Sequence, residues 1–297
     1  MNKLFTAVLI VSILGNIGGL FFAYQFWQFK RLVNGLQSTV RESEKSIAFL
    51  LDVAEKDYTH RMVFLHHSVG KGILDGGNLR DSLRQMGISV RGITYGDSIG
   101  QYTDMRHWLP KFQKDMQGIL QFKNHPNTCF TDGRTNDIVM FKSCFPNSDI
   151  DADGSEPGDP LSAKKTLSNY KAVFHGLVKE MQKSPEVLFI YMTAPPLVPA
   201  QTSQENAGRA RTFNVWLKEE FLPEYSRKSG LNNFVVFDLF DVLADQDNFL
   251  RTEFRGNDRR DSHPNALANQ EAARRFLGFF RPVWTAWQAK ASLQPVK

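Results

Sequence analysis

Three short segments carry residue types that together can perform nucleophilic chemistry. The first is His66-His67-Ser68-Val69-Gly70, which closes a short apolar run. A serine on a strand-to-helix turn is exposed, and its backbone N–H faces whatever approaches the hydroxyl. The second is Lys142-Ser143-Cys144-Phe145-Pro146-Asn147. There Asn147 either donates its side-chain N–H to an oxyanion or closes a turn after Pro146. The third is Asp261-Ser262-His263-Pro264-Asn265. A histidine beside a carboxylate has the makings of a base and its orienter, and Pro264 suits the first turn of a helix.

Alternating elements must position these segments. Strands are expected at Met62 to Leu65, Ile88 to Thr94, Asp137 to Lys142, Val187 to Thr193 and Phe234 to Leu239. Helices are expected near 72–86 and at Leu167 to Gln182, Ala207 to Tyr225 and Asn265 to Trp287, with an irregular stretch before the third strand. This alternation implies a parallel sheet covered on both faces, with functional groups at the carboxyl ends of the strands. Each chemical segment follows a strand or immediately precedes the last helix.

Serine after the first strand, asparagine after the third and D-S-H-P-N before the last helix form the order found in SGNH/GDSL hydrolases. The chain resembles a divergent branch of that superfamily from about Arg61 to Phe280, with H-H-S-V-G in place of the usual G-D-S block. The resemblance implies an α/β class and a flavodoxin-like three-layer α/β/α fold with a five-stranded parallel sheet. It implies Ser68 as nucleophile and His263 as general base. Its oxyanion hole would comprise the Ser68 N–H, the N–H of Gly96 or Gly100, and the Asn147 side chain. Thr193-Ala194-Pro195-Pro196-Leu197 resembles the family's fourth-strand exit, a pocket wall. The family places its aspartate three residues before the histidine, where this chain has Arg260; Asp261 and Asp258 are the alternatives, and Asp261 is nearer the base. A literal G-D-S occurs at Gly96-Asp97-Ser98, but after the second strand, and reads as the oxyanion loop.

Leu4 to Trp27 contains 24 residues without a charge, a helix of roughly 36 Å against a bilayer core of about 30 Å. The run continues through Phe21, Phe22, Tyr24 and Phe26 without a small-residue cleavage site, so 1–27 reads as an uncleaved anchor. Residues 28–57 read as a helical stalk, 58–290 as the SGNH hydrolase-like domain and 291–297 as a tail. Lys3 lies on one side of the run and Lys30 and Arg31 on the other, a count that leans towards a cytoplasmic C-terminus, although long domains translocate regardless of flanking charge. Family members tethered this way usually act on envelope or secreted glycans, which implies an extracytoplasmic domain on a bacterial inner membrane.

The remaining chemistry is sparse. Thirty-six basic residues face 31 acidic ones, net +5, dispersed without the run that nucleic-acid binding requires. Cys129 and Cys144 form no disulfide framework or zinc set. Asp149, Asp151, Asp153 and Gly154 imitate the opening of a calcium loop whose twelfth position is Pro160, and read as a solvated acidic loop. No cofactor or metal is expected. The expected partners are an acylated glycan or small ester substrate, the membrane and polysaccharide-biosynthesis proteins. The expected activity is a serine esterase or acyltransferase acting on O-acyl, chiefly O-acetyl, groups. The alternative is a non-catalytic glycan-binding or polysaccharide-assembly protein on the same fold.

Overall fold

The computed structural model describes residues 27–37, 39 and 58–291. The chain divides into Met1–Asp57 and Tyr58–Lys297. In the first unit residues 27–37 are helical, with Trp27, Phe29, Leu32 and Leu36 exposed. The anchor expected at 1–27 lies outside the described residues except for Trp27. Among the described residues no helix is long and apolar enough to cross a membrane.

The second unit is α/β. Its strands are β1 (His60–Leu65), β2 (Ile88–Ile93), β3 (Phe122–Asn124), β4 (Thr128–Cys129), β5 (Ile138–Lys142), β6 (Leu188–Met192) and β7 (Phe234–Phe237). Five of these form one sheet in the order β2-β1-β5-β6-β7, with every neighbouring pair parallel. This is the flavodoxin-like order, in which the strand sequence reverses beside β1.

The apolar runs of β1, β5 and β6 are buried on both sides, as parallel strands covered by helices must be. Alternation divides their side chains between two cores. Val63, Leu65, Val139, Phe141, Phe189 and Tyr191 face one core, while Met62, Phe64, Ile138, Met140, Leu188 and Ile190 face the other.

The helices are α1 (Ser68–Lys71), α2 (Leu79–Gln85), α3 (Met105–Gln121), α4 (Leu167–Met181), α5 (Gln204–Trp216), α6 (Leu222–Ser229), α7 (Leu239–Leu243) and α8 (Ala266–Ala291). Helices α3 to α6 line the first core; α1, α2, α7 and α8 line the second.

Two expected helices are broken. The segment near 72–86 contains a π-turn at Gly72–Gly76 before α2, and Leu217–Phe221 forms a second π-turn between α5 and α6. The stretch expected to be irregular contains the 17-residue α3. Pro110 inside α3 argues locally against a helix, yet Met105, Trp108, Leu109 and Phe112 recur at helical spacing and are all buried. Tertiary burial outweighs the missing hydrogen bond.

His66 directly follows β1 inside the protein, 3% exposed. Its Nδ1–H donates to the His67 carbonyl at 2.9 Å. A Cβ on Gly70 would stand 2.3 Å from the His66 Cβ, so only glycine lets α1 turn this tightly over the ring. Desolvation lowers its pKa from 6.5 to about 4. The folded state therefore resists a proton that the unfolded chain accepts. His66 supports stability fully above about pH 6.5 and loses that support as pH falls towards 4, by about 3 kcal/mol. Urea unfolding at stepped pH should show this slope in the wild type, and His66→Gln should flatten that part of it.

Candidate active site

Ser68 is the first residue of α1, directly beyond the carboxyl end of β1, and its side chain is exposed. Its Oγ lies 2.8 Å from His263 Nε2, although 195 positions separate them. His263 Nδ1 lies 2.5 Å from Asp261 Oδ1, and the same oxygen accepts the His263 backbone N–H at 3.0 Å. A carboxylate can only accept, so Nδ1 carries the proton and Nε2 is left bare to receive the Ser68 hydroxyl proton. The His263 backbone N–H, followed by its ring N–H, holds the Asp261 carboxyl below the ordinary aspartate range.

The D-S-H-P-N segment owes its shape to polar anchoring. Ser262 is fully buried; its Oγ accepts the Val198 N–H at 3.0 Å and donates to Gln201 Oε1. That pins the loop from below and leaves its neighbours Asp261 and His263 facing outwards. Asn265 donates to the Glu253 and Arg255 carbonyls and accepts the Ala268 N–H at 3.0 Å, which caps α8. Helix α8 reaches the Ser68 turn because Gly77 has no side chain: a Cβ there would lie 2.4 Å from the Asn269 carbonyl. The edge of the Phe145 ring packs on His263 with centroids 4.9 Å apart.

Ser68 opens into a cleft of about 470 Å³, whose walls include His67, Tyr95, Gln101, Tyr102, Cys144, Phe145 and His263. His67 Nε2 lies 2.8 Å from the Gly100 carbonyl, so it donates. Its Nδ1 accepts from Thr103 Oγ1 at 3.1 Å. Burial lowers the His67 pKa, which keeps the ring neutral for both roles. His67 thereby ties the β2 exit loop to the Ser68 turn.

Tyr95 stacks on His67 with centroids 3.8 Å apart and lines the cleft beside Ser68. In the sequence Tyr95 is overshadowed by the neighbouring Gly96-Asp97-Ser98. The useful signal was an aromatic at the exit of the strand beside β1.

Asn147 is 5% exposed; its amide donates to Asp104 Oδ1 at 3.2 Å and to the Cys144 carbonyl at 3.1 Å, and its oxygen accepts the Met105 N–H at 2.8 Å. Both amide hydrogens are committed, so Asn147 clamps the start of α3 and leaves no donor for an oxyanion in this conformation. The Gly100 N–H donates to Asp97 at 2.9 Å. Gly96, at φ +94, has its open side against His125. Ser98 is bound to Asn127 Oδ1 through its N–H and hydroxyl and lies outside the cleft walls.

Asp97 is buried and holds its loop through Thr94, Asn127 and His125. Asp258 accepts the Arg260 N–H and so shapes the turn, whereas Asp261 contacts the base. The 193–197 segment also lies outside the cleft walls; Thr193 is tied to Asp238 and the Ala194 carbonyl to Ser148. Asp149 accepts from Thr202 and Asn206. Cys129 and Cys144 are both free thiols.

The sheet has the flavodoxin-like strand order, with a serine at the β1 exit and a histidine before the last helix, as the SGNH/GDSL resemblance of the sequence implies. No family model and no curated protein matches the chain. Solved structures that resemble it include a GDSL-like lipase from Bacteroides thetaiotaomicron VPI-5482, at 12% identity and TM-score 0.42, covering 73% of this chain and 86% of that one. A Streptococcus pneumonia protein described as a candidate platelet activating factor aligns over 83% of this chain and 97% of its own, at 12% identity and TM-score 0.40. Likeness this distant is one of outline, and the chemistry rests on this chain's own residues.

If the Asp261 carboxylate orients the His263 ring, Asp261→Ala should slow acylation of Ser68 by about three orders of magnitude. Asp258→Ala should leave it nearly unchanged. Stopped-flow or single-turnover acylation rates check the pair, and the reverse ranking would reassign the carboxylate.

Proposed function

We propose that the protein is a serine esterase or acyltransferase that removes or transfers O-acyl groups, chiefly acetyl, on a glycan. The single observation carrying this reading is the hydrogen-bonded chain from Asp261 through His263 to Ser68 at the floor of an open cleft. A free serine hydroxyl is a poor nucleophile until a base stands within hydrogen-bond reach.

In the proposed reaction Ser68 Oγ attacks the ester carbonyl carbon while its proton passes to His263 Nε2. The imidazolium is stabilised by Asp261. The carbonyl π electrons move onto oxygen, where the Ser68 N–H at the start of α1 is the proposed donor and Tyr95 stands in the same cleft wall. When the intermediate collapses, the C–O bond to the alcohol breaks and His263 returns its proton to the leaving oxygen. Water, or a sugar hydroxyl, then repeats the sequence on the acyl-enzyme. Which of the two enters separates hydrolysis from transfer.

A soluble 58–297 chain should hydrolyse an activated acetyl ester and react covalently with a fluorophosphonate probe. Ser68→Ala should abolish the labelling and Ser98→Ala should leave it intact, read by gel fluorescence and intact mass. Labelling that survives the first change and disappears with the second would overturn the assignment.

The 24 uncharged residues from Leu4 to Trp27 support a second element of the proposal, an N-terminal membrane anchor with the catalytic domain on the extracytoplasmic side. Removing residues 1–27 should move the protein from the membrane to the soluble fraction. A full-length chain that is already soluble would refute the anchor.

A further inference from the structure

A second cavity, of about 170 Å³, adjoins the Ser68 cleft and shares Asp104 and Pro146 with it. Pockets that enclose a whole ligand run to roughly 300–1,000 Å³, so this one suits a single substituent of a molecule seated in the cleft. Its polar lining is dominated by donors: Arg106, Lys164, Lys165 and the Tyr170 hydroxyl. Tyr170 is 4% exposed, and its hydroxyl is buried with no hydrogen-bond partner. A buried hydroxyl without a partner is uncommon and calls for an explanation. Burial also raises its pKa well above the ordinary tyrosine value, so it stays an O–H donor.

The same cavity receives the N-terminus of α3, through Met105 and Arg106. That helix has 17 residues with Asp104 at its N-cap, and Asn147 Oδ1 already accepts the Met105 N–H at 2.8 Å. Lys165 donates to the Pro146 carbonyl at 3.1 Å, with Asp149 3.6 Å away, while Lys164 stands exposed at the rim.

Carboxylates are present too. Asp104 lines the cavity, but one oxygen accepts from Asn147 and the other faces His107 at 3.8 Å. Asp149, near Tyr170, is occupied by Thr202, Asn206 and Lys165, and Asp151 is exposed. Three cationic side chains and a buried hydroxyl thus face one lining carboxylate that already has partners.

We propose that this cavity binds a carboxylate carried by the ester substrate, so that the preferred substrate is an acylated acidic sugar. This rests on the esterase reading of Ser68. The shared wall of Asp104 and Pro146 would let one molecule place its acyl group at Ser68 and its carboxylate beside Tyr170.

The test compares an O-acetylated methyl glucuronoside with the corresponding O-acetylated methyl glucoside, which share the acyl group and ring but differ in the carboxylate. The wild-type chain should show a KM about tenfold lower for the acid, the scale of one charge-assisted hydrogen bond. Lys164→Ala and Tyr170→Phe should each bring the KM ratio close to one, with the kcat ratio steady. Equal KM values in the wild type would overturn the subsite and leave the esterase reading standing. An equal loss on both sugars in the variants would also overturn it, since that marks a structural role. If the wild type turns over neither sugar and takes no fluorophosphonate, the esterase reading fails. The cavity is then decided by calorimetry with unacylated methyl glucuronoside: saturable binding weakened by Lys164→Ala upholds a carboxylate site, and no binding removes it.

Discussion

The hydrogen bond from Ser68 to His263 joins positions 195 residues apart, and the fold is arranged so that this meeting needs no long excursion. The sheet order sets β1 between β2 and β5, next to the point where the strand order reverses. Crossovers leave that point in opposite directions, so a crevice opens at the carboxyl end of β1. Ser68 stands at that end. Helix α8 packs in the second core against the same face as α1 and α2, which delivers its leading loop, and with it His263, to the β1 exit. The bond depends on the packing of two helices, and the packing in turn depends on glycine where the backbones approach.

Around that bond, side chains of ordinary type act as fasteners. His67 joins the loop after β2 to the Ser68 turn, Asn147 joins the turn after β5 to the start of α3, and Ser262 anchors the His263 loop to the segment after β6. Each is a buried or half-buried polar group bonded to backbone from a different element. Such bonds are costly to leave unmade in a low-dielectric setting. They fix the positions of exposed loops that have few apolar contacts of their own. A polar residue beside a reactive group is therefore not automatically a reagent: Asn147 and His67 are both held in place by partners that consume their donors.

The difference between what was legible in the sequence and what was not follows the same division. Strand positions and the parallel order were legible because β1, β5 and β6 are continuous apolar runs, the mark of strands covered on both faces. The pairing of Ser68 with His263 was legible because each stands at a strand-to-helix or loop-to-helix junction. Helix α3 was not, because Pro110 and its polar positions interrupt the pattern locally, while the burial of Trp108 and Phe112 that stabilises it comes from Phe141 and Phe189 far along the chain. The engagement of Asn147 and the position of Tyr95 were illegible for a related reason. A side chain's free donors depend on which partners arrive from other elements, and residue type does not encode that.

The exposure of the Asp261–His263 pair bears on what kind of substrate suits the site. Their side chains are 46% and 45% exposed, so in the open protein water screens the carboxylate from the ring, and an exposed pair of this kind contributes little, about 0–1 kcal/mol. Transition-state stabilisation through the same pair grows as the local dielectric falls. A small ester would leave the cleft wet and the pair screened. A ligand broad enough to span the cleft would displace that water and strengthen both hydrogen bonds as the imidazolium forms. On the proposed esterase reading, the open site would favour a substrate that brings its own cover, as a sugar ring bearing groups on either side of the scissile ester would.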